Sequence, residues 1–493
     1  VRATDLIPDL ADTWKSAQVR IGDSLTPTVR LGVTGLARSG KTVFITALVR
    51  ALTEGARLPF FKAHAEGRIV RAYLEPQPDD NLPRFEYESH VAALTGPDPL
   101  WPAGTRRISQ LRLTIEYEPR SGLRSWLGRS KLHVDIVDYP GEWLLDLGLM
   151  DQRFDLWSAE TLALLKAPHR AAHAGPFLDF VGSLDPSADP EPAAIKGAKL
   201  YTALLAAERA SEEAAATLGP GRFLMPGDLE GSPLLTFFPL PSRAGIVDGS
   251  SEAIGSVDDG SPLRALLARR FESYRVKVVA PFFRDHFARL DRQIVLVDAL
   301  GALNRGALAM ADLDRALTSA MRAFRPGGAS WLPMLFGHRI DRVLFAATKA
   351  DHLDQASHVR LEGLLRHATE RAAARVTSSG AEATVLALAA VRATREVEVE
   401  DGSERLPVLM GTPVAGERIA GTVFDGRTEA GVFPGDVPAV PEIAFDPART
   451  RADDVAFVRF RPPVGAAGTG HVGPLPHIRL DRAIEFLIGD ALA

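Results

Sequence analysis

The sequence predicts an α/β fold: a parallel sheet with helices on both faces, interrupted by a large, mainly helical insertion and followed by a small β-rich module. Three observations predict it. The apolar strand Val29-Arg30-Leu31-Gly32-Val33 runs into a glycine-rich turn and then a helical pattern, Val43 to Leu52, free of glycine and proline. Apolar runs at 293–297, 342–347 and 383–390 alternate with helical patterns at 310–324 and 356–374, as parallel strands covered on both faces do. Between these two regions, residues 149–290 are dominated by alanine- and leucine-rich helical patterns.

Composition narrows the function classes. At 493 residues the chain exceeds one compact core, and length alone suggests about two to four domains. A net charge of −5 leaves no basic footprint, so nucleic acid is not an expected partner. The chain has no cysteine, which excludes a disulfide framework, a thiolate metal site and a thiol nucleophile, and fits a reducing compartment. The first residues, Val1 to Leu6, do not read as a signal segment, and nowhere do about 18 apolar residues run uninterrupted. The expectation is a cytoplasmic protein with no transmembrane segment.

In chain order, Leu6, Ile7, Leu10, Trp14 and Val19 suit one face of a helix over 5–22 that packs against the domain begun by strand 29–33. Residues 53–108 are mixed and proline-bearing, too long for an ordinary loop, and are expected to be functional or partly helical. Residues 110–117 alternate polar and apolar, and 132–137 form a second strand after a turn region. The pair reads as an antiparallel edge hairpin. In the insertion, helices are expected at 156–165, 196–218 and 263–274. After Arg392 the chain is rich in glycine and proline with short alternating runs such as 396–399 and 455–460, and it closes on an amphipathic helix over 478–492. Two aromatic clusters, 282–287 and 331–336, read as core more readily than as docking patches.

The chemistry is carried first by Gly35-Leu36-Ala37-Arg38-Ser39-Gly40-Lys41-Thr42, which matches G-x-x-x-x-G-K-[ST] between a strand and a helix. The glycines let successive N–H groups cradle phosphate oxygens at the positive end of a helix dipole. Residues Gly35, Ala37, Arg38, Ser39, Gly40, Lys41, Thr42 and Val43 are the candidate phosphate contacts. Lys41 adds charge for the β- and γ-phosphates, and the Thr42 hydroxyl is a candidate Mg2+ ligand.

Strand 132–137 ends in Asp138-Tyr139-Pro140-Gly141-Glu142-Trp143, where a magnesium-associated Asp138 and a γ-phosphate-facing Gly141 belong. A second D-x-x-G, Asp298 to Gly301, competes for that role from later in the chain. Thr105, just before strand 110–117, is the candidate hydroxyl that closes over Mg2+. Thr348-Lys349-Ala350-Asp351 comes after a buried strand and selects the base: the Asp351 carboxylate accepts from N1–H and N2 of guanine, whereas adenine would leave it opposite an acceptor. Lys349 can cover the base, Thr348 can tie this loop to the phosphate loop, and the Ala390 and Val391 backbone can face the guanine O6.

These motifs stand in the order of a translation-factor-class GTPase. Residues 32–42, 138–143, Phe223-Leu224-Met225-Pro226-Gly227-Asp228-Leu229 and 293–298 further resemble the YcjX-like family of bacterial P-loop GTPases. The resemblance implies a Ras-like GTPase core with a helical insertion, GTP and GDP with Mg2+ as ligands, and a link to stress responses. The residue patterns along the chain divide it into an N-terminal helix (1–28), a core in two parts (29–148 and 291–394), the insertion (149–290), a β-rich decoration (395–476) and a C-terminal helix (477–493). Two positions depart from the usual pattern: Thr348 stands for Asn, and Glu142 stands for the water-orienting Gln. Lys41, Glu142 and Arg38 are therefore the catalytic candidates, Glu142 to orient water and Arg38 to offset its charge in cis. The expected activity is a slow GTPase switch with an unknown protein partner or activator. Alternatives are a nucleotide-gated scaffold for a protein or a membrane surface, and an adenine-nucleotide ATPase.

Overall fold

The computed structural model describes residues 26–36, 38–105, 107–120, 128–185, 188–211, 218–241, 261–321, 340–401, 404–419, 421–448, 455–464 and 473–493. The expected helix over 5–22 and the aromatic cluster 331–336 lie outside the described residues.

Seven strands form the main sheet: β1 (Thr28–Gly35), β2 (Ile69–Glu75), β3 (Ser109–Tyr117), β4 (Ser130–Asp138), β5 (Arg292–Val297), β6 (Arg342–Ala347) and β7 (Glu382–Ala387). Their order is β2-β3-β4-β1-β5-β6-β7. β1 lies between β4 and β5, parallel to both, and β5, β6 and β7 continue in parallel. β2, β3 and β4 pair antiparallel. The antiparallel pairing of 110–117 with 132–137 is present, but it is not an edge hairpin. β4 is inside the sheet, buried from Leu132 to Asp138, and the edge strand is β2, hidden in the segment 53–108. Arg71, Tyr73 and Glu75 give β2 the polar texture of a loop because an edge strand is only half covered.

Side chains on a strand alternate between faces, and here both faces are apolar. Leu31, Val33, Ile294, Leu296 and Leu344 join the core under helix Lys41–Thr53 and the closing helix Leu480–Ile488. Val295, Val297, Val343 and Phe345 join the opposite core with helices Ala307–Ala320 and His358–Ser378. Phe282 and Phe287 belong to that second core, which makes their cluster packing rather than a docking patch.

Between β4 and β5 the helices Phe154–Leu165, Pro168–Gly182, Pro190–Ala210 and Pro262–Tyr274 build a core of their own, with Trp157 stacked on Phe271 at 5.1 Å. The sequence pattern does not announce helix Pro168–Gly182, because Pro168, Gly175 and Pro176 interrupt it. Pro168 sits in its first turn, where proline is tolerated, and Phe177 buries on the aromatic core. Helix Pro190–Ala210 begins earlier than the sequence suggests for a similar reason: Asp189 caps the Glu191 N–H, and Pro190 occupies the first helical turn.

One buried ionic cluster ties the insertion to the sheet's flanking helix. Arg170, fully buried, lies 3.1 Å from Glu208 and also pairs with Asp312 of helix Ala307–Ala320. Burial pushes the Glu208 carboxyl up to about 7, against the pull of Arg170 and with the help of Asp312. A folded-state value above the ordinary 4.5 means the folded protein holds this proton more tightly. The contribution is full below about pH 4.5 and is lost as pH rises through about 7. Glu208→Gln, which keeps the neutral form, is expected to gain stability relative to wild type as pH rises from 5 to 8, by up to roughly 3 kcal/mol. Thermal unfolding across that range checks it, and parallel pH profiles for the two proteins would count against the cluster as described.

After β7 the strands Arg395–Asp401, Glu404–Gly411 and Ala430–Val432 make a small antiparallel sheet. The alternating run 455–460 is not a strand; Val458 and Phe460 pack on Val432 of that sheet, and Phe460 bridges Pro413 just past the strand Glu404–Gly411.

Candidate functional site

Because β4, β1, β5, β6 and β7 are parallel, their carboxyl ends share one edge, and the loops that leave them converge there. The phosphate-loop sequence leaves β1, Asp138 ends β4, Asp298 comes directly after β5, Thr348 to Asp351 after β6, and Ala389 to Val391 after β7.

In the loop after β1, two residues adopt left-handed backbone, Arg38 (φ 64°) and Gly40 (φ 84°). Such bends make a concave array of N–H groups suited to anions. Gly40 enters helix Lys41–Thr53 without a side-chain cap, so the first-turn N–H groups carry no capping side chain. Lys41 is nearly buried and folds back so that Nζ donates to the Gly35 carbonyl at 3.3 Å. Ser39 and Thr42 are buried, Val43 is half-buried and Arg38 is exposed. Ala37 lies outside the described residues.

Thr42, Thr105 and Asp138 meet. The Thr105 hydroxyl donates to Asp138 Oδ2 at 2.6 Å and lies 3.5 Å from the Thr42 hydroxyl. Asp138 Oδ1 is buried with no hydrogen-bond partner. Burial pushes this carboxyl up to about 6, while the Lys41 charge and the Thr105 hydrogen bond pull it down. A buried carboxylate oxygen with no donor, beside two hydroxyls and at the phosphate loop, fits an oxygen-ligated divalent cation. Among the described residues no group of three or more His, Asp or Glu forms a metal cluster, so such a cation would rest on hydroxyls and this single carboxylate. Thr105 is held in place by its own approach: Trp101 Nε1 donates to the Phe460 carbonyl at 2.6 Å, and Arg461 pairs with Asp98.

Asp298, the second D-x-x-G acid, is already engaged. Its Oδ1 accepts from Gly301 N–H at 3.0 Å, capping the next helix, and its Oδ2 pairs with Lys349. Burial opposes its ionisation, yet the Lys349 charge and these hydrogen bonds outweigh that and hold the carboxyl below the usual range. Asp138, not Asp298, is therefore the acid with an open oxygen.

Lys349 also adopts left-handed backbone, at φ 62°. A non-glycine residue there is strained by about 1–2 kcal/mol, and such strain concentrates at functional loops. The N–H and the hydroxyl of Thr348 both donate to the Val297 carbonyl at the end of β5, the strand between β6 and β1, and no hydrogen bond from it to the phosphate loop is seen among the described residues. Asp351 is buried, with Oδ2 accepting from Ala393 N–H at 2.8 Å and its carbonyl accepting from Thr394. Ala389 pairs with Ile478 through both backbone groups, which fixes the turn holding the buried Ala390 and Val391.

Gly141 touches the phosphate loop: a Cβ there would stand 1.6 Å from the Gly35 carbonyl oxygen. Glu142 is buried, and its Oε1 lies 2.9 Å from Arg209 Nη2 in the last turn of helix Pro190–Ala210. Nothing in the sequence singles out Arg209, since a cation in the last turn of a helix is ordinary dipole complementation. Arg38 is exposed; its charge adds a little to the burial that chiefly disfavours the charged form of Arg305.

Residues 29–492 match the model of the YcjX-like family, DUF463. The chain is 39% identical over 470 residues to a protein of Escherichia coli (strain K12) named Ras-like GTPase YcjX, covering 94% of this chain and 96% of the relative. A protein of the same name from Shewanella oneidensis is 36% identical over 485 residues, covering 94% of each chain. With a family match running nearly end to end and two relatives above one-third identity, the chain belongs to the YcjX-like family.

Proposed function

We propose that the protein binds GTP and GDP with Mg2+ and hydrolyses GTP to GDP and phosphate as a slow nucleotide-dependent switch. The observation that carries the reading is the meeting of Lys41, Thr42, Thr105 and the open oxygen of Asp138 at one sheet edge, with the Thr348–Asp351 loop on the same edge. The names of the two relatives support it.

Each residue then has a role. The loop N–H groups and Lys41 hold the phosphates; with three donors, the ammonium can reach phosphate oxygens while one N–H stays on the Gly35 carbonyl. Thr42, Thr105 and Asp138 would hold Mg2+, which would supply positive charge to the phosphate oxygens. Thr105 is the member that arrives from the chain before β3, so its engagement reports the nucleotide state. Glu142 comes after the glycine that touches the phosphate loop and is the candidate for orienting water. Asp351 reads guanine, with Lys349 held beside the base by Asp298.

Asp351→Asn tests the base reading. The amide can donate where the carboxylate only accepts, which matches the carbonyl of xanthine. Affinity is expected to move from GTP to XTP, with GTP weakened at least about tenfold. Displacement of labelled GDP from wild type measures the other side, and ATP competing as well as GTP would favour the adenine-nucleotide alternative.

A further inference from the structure

The segment after Gly141 is fastened to the helical insertion residue by residue. Glu142 faces Arg209. The Trp143 ring lies 3.3 Å under the Arg222 guanidinium, and its Nε1 donates to the Met225 carbonyl at 3.2 Å. Asp146 accepts from Gly221 N–H at 2.7 Å and from the Tyr274 hydroxyl at 2.8 Å. Gly221 presses on the Glu142 carbonyl so closely that a Cβ would stand 2.0 Å from it. Arg209 is itself anchored from behind, because its neighbour Glu208 joins Arg170 and through it Asp312 of the core.

Glu142 poses an electrostatic problem for phosphoryl transfer. It brings a carboxylate next to the place where negative charge develops, and it is buried, so water does not screen it. Arg38, the arginine of the phosphate loop, is exposed. The guanidinium at 2.9 Å from Glu142 belongs to the insertion. Glu142 Oε1 is buried and meets no other hydrogen-bond donor, so the Arg209 guanidinium is the charge set against it.

Resting on the GTPase reading above, we propose that Arg209 is a positioning residue for GTP hydrolysis, supplied in cis by the helical insertion: it fixes the Glu142 carboxylate and offsets its charge. The insertion thereby sets the turnover rate, and any movement of the helix Pro190–Ala210 changes it.

The full-length chain tests this with Arg209→Ala, Arg209→Lys, Glu142→Gln and the Arg209→Ala/Glu142→Gln double variant. Single-turnover hydrolysis, calorimetric GTP and GDP titrations and thermal melting are measured for each. Arg209→Ala is expected to lower the hydrolysis rate about tenfold or more while nucleotide affinities stay within about twofold. Arg209→Lys, which keeps the charge, restores most of the rate. The double variant hydrolyses at the Glu142→Gln rate, because a neutral amide needs no counter-charge. A merely structural strut would lower affinity and melting temperature together and would not be relieved by Glu142→Gln. Wild-type hydrolysis with an equally fast Arg209→Ala, or a double variant whose loss is the product of the single losses, overturns the role of Arg209 and leaves the GTPase reading standing. A wild-type protein that binds no GTP overturns both.

Discussion

Lys41→Ala leaves a folded protein that no longer holds GTP or GDP. The side chain is nearly buried; it donates to the Gly35 carbonyl at 3.3 Å and its charge favours the Asp138 carboxylate, which can take up a proton when that charge is lost, so its loss from the apo fold costs about 1–3 kcal/mol. Its loss from a nucleotide complex is of another order. The ammonium is held at the phosphate loop, on the Gly35 carbonyl and in range of the Asp138 carboxylate. Without it the phosphates meet backbone N–H groups and an uncompensated acid. Affinity is expected to fall at least about 100-fold, since charge-assisted contacts to phosphate are worth roughly twice neutral ones and this site concentrates them. Titration calorimetry with GTP and GDP and a thermal melt of the apo protein check the two halves separately. Micromolar affinity retained in the variant would remove Lys41 from phosphate binding.

How legible each element is in the sequence depends on how local its signal is. The strand, glycine-rich turn and helix around Gly35 to Thr42 are contiguous, so their geometry is written in one stretch. β5 and β6 read as strands because both their faces are buried and their residues are uniformly apolar. β2 does not, since an edge strand needs only partial cover and tolerates Arg71 and Glu75. Helix Pro168–Gly182 escapes a pattern reading because its stability comes from Arg170, Ala174 and Phe177 meeting partners far along the chain, not from its own propensity.

The site shows the same division. Asp138 and Asp298 are alike as D-x-x-G patterns, and their partners separate them: Lys349 and the Gly301 N–H occupy Asp298, while Asp138 meets Thr105 and keeps one oxygen open. Thr105 is one of several hydroxyls in 53–108, and its distinction is a 2.6 Å hydrogen bond to a residue 33 positions away. Thr348 is expected at the phosphate loop, yet with β5 standing between β6 and β1 it bonds to β5 instead. Arg209 carries no local mark, and its relation to Glu142 exists only because the insertion folds back onto β4's exit.

Gly141→Ala is the smallest change expected to have one of the largest effects. The backbone of Gly141 is ordinary, not left-handed, so alanine brings no conformational strain of its own. Space decides the matter. The added methyl would stand 1.6 Å from the Gly35 carbonyl oxygen and 3.3 Å from Leu36 Cα, both backbone atoms of the phosphate loop, and neither can rotate away. Either the turn after β4 or the loop after β1 must move, and the Gly35 carbonyl is also the acceptor for Lys41. Overpacking of this kind costs about 1–3 kcal/mol of stability. Because the displacement separates Glu142 and Asp138 from the phosphates, hydrolysis is expected to fall at least about 100-fold, well beyond what the stability change explains. Gly175→Ala is the control: it lies within helix Pro168–Gly182 with nothing near its Cβ, so it should gain about 0.5–1 kcal/mol and hydrolyse normally. Single-turnover hydrolysis beside thermal unfolding of both variants decides it, and a Gly141→Ala protein that turns over GTP at the wild-type rate would mean that the Gly35–Gly141 contact is not kept when nucleotide is bound.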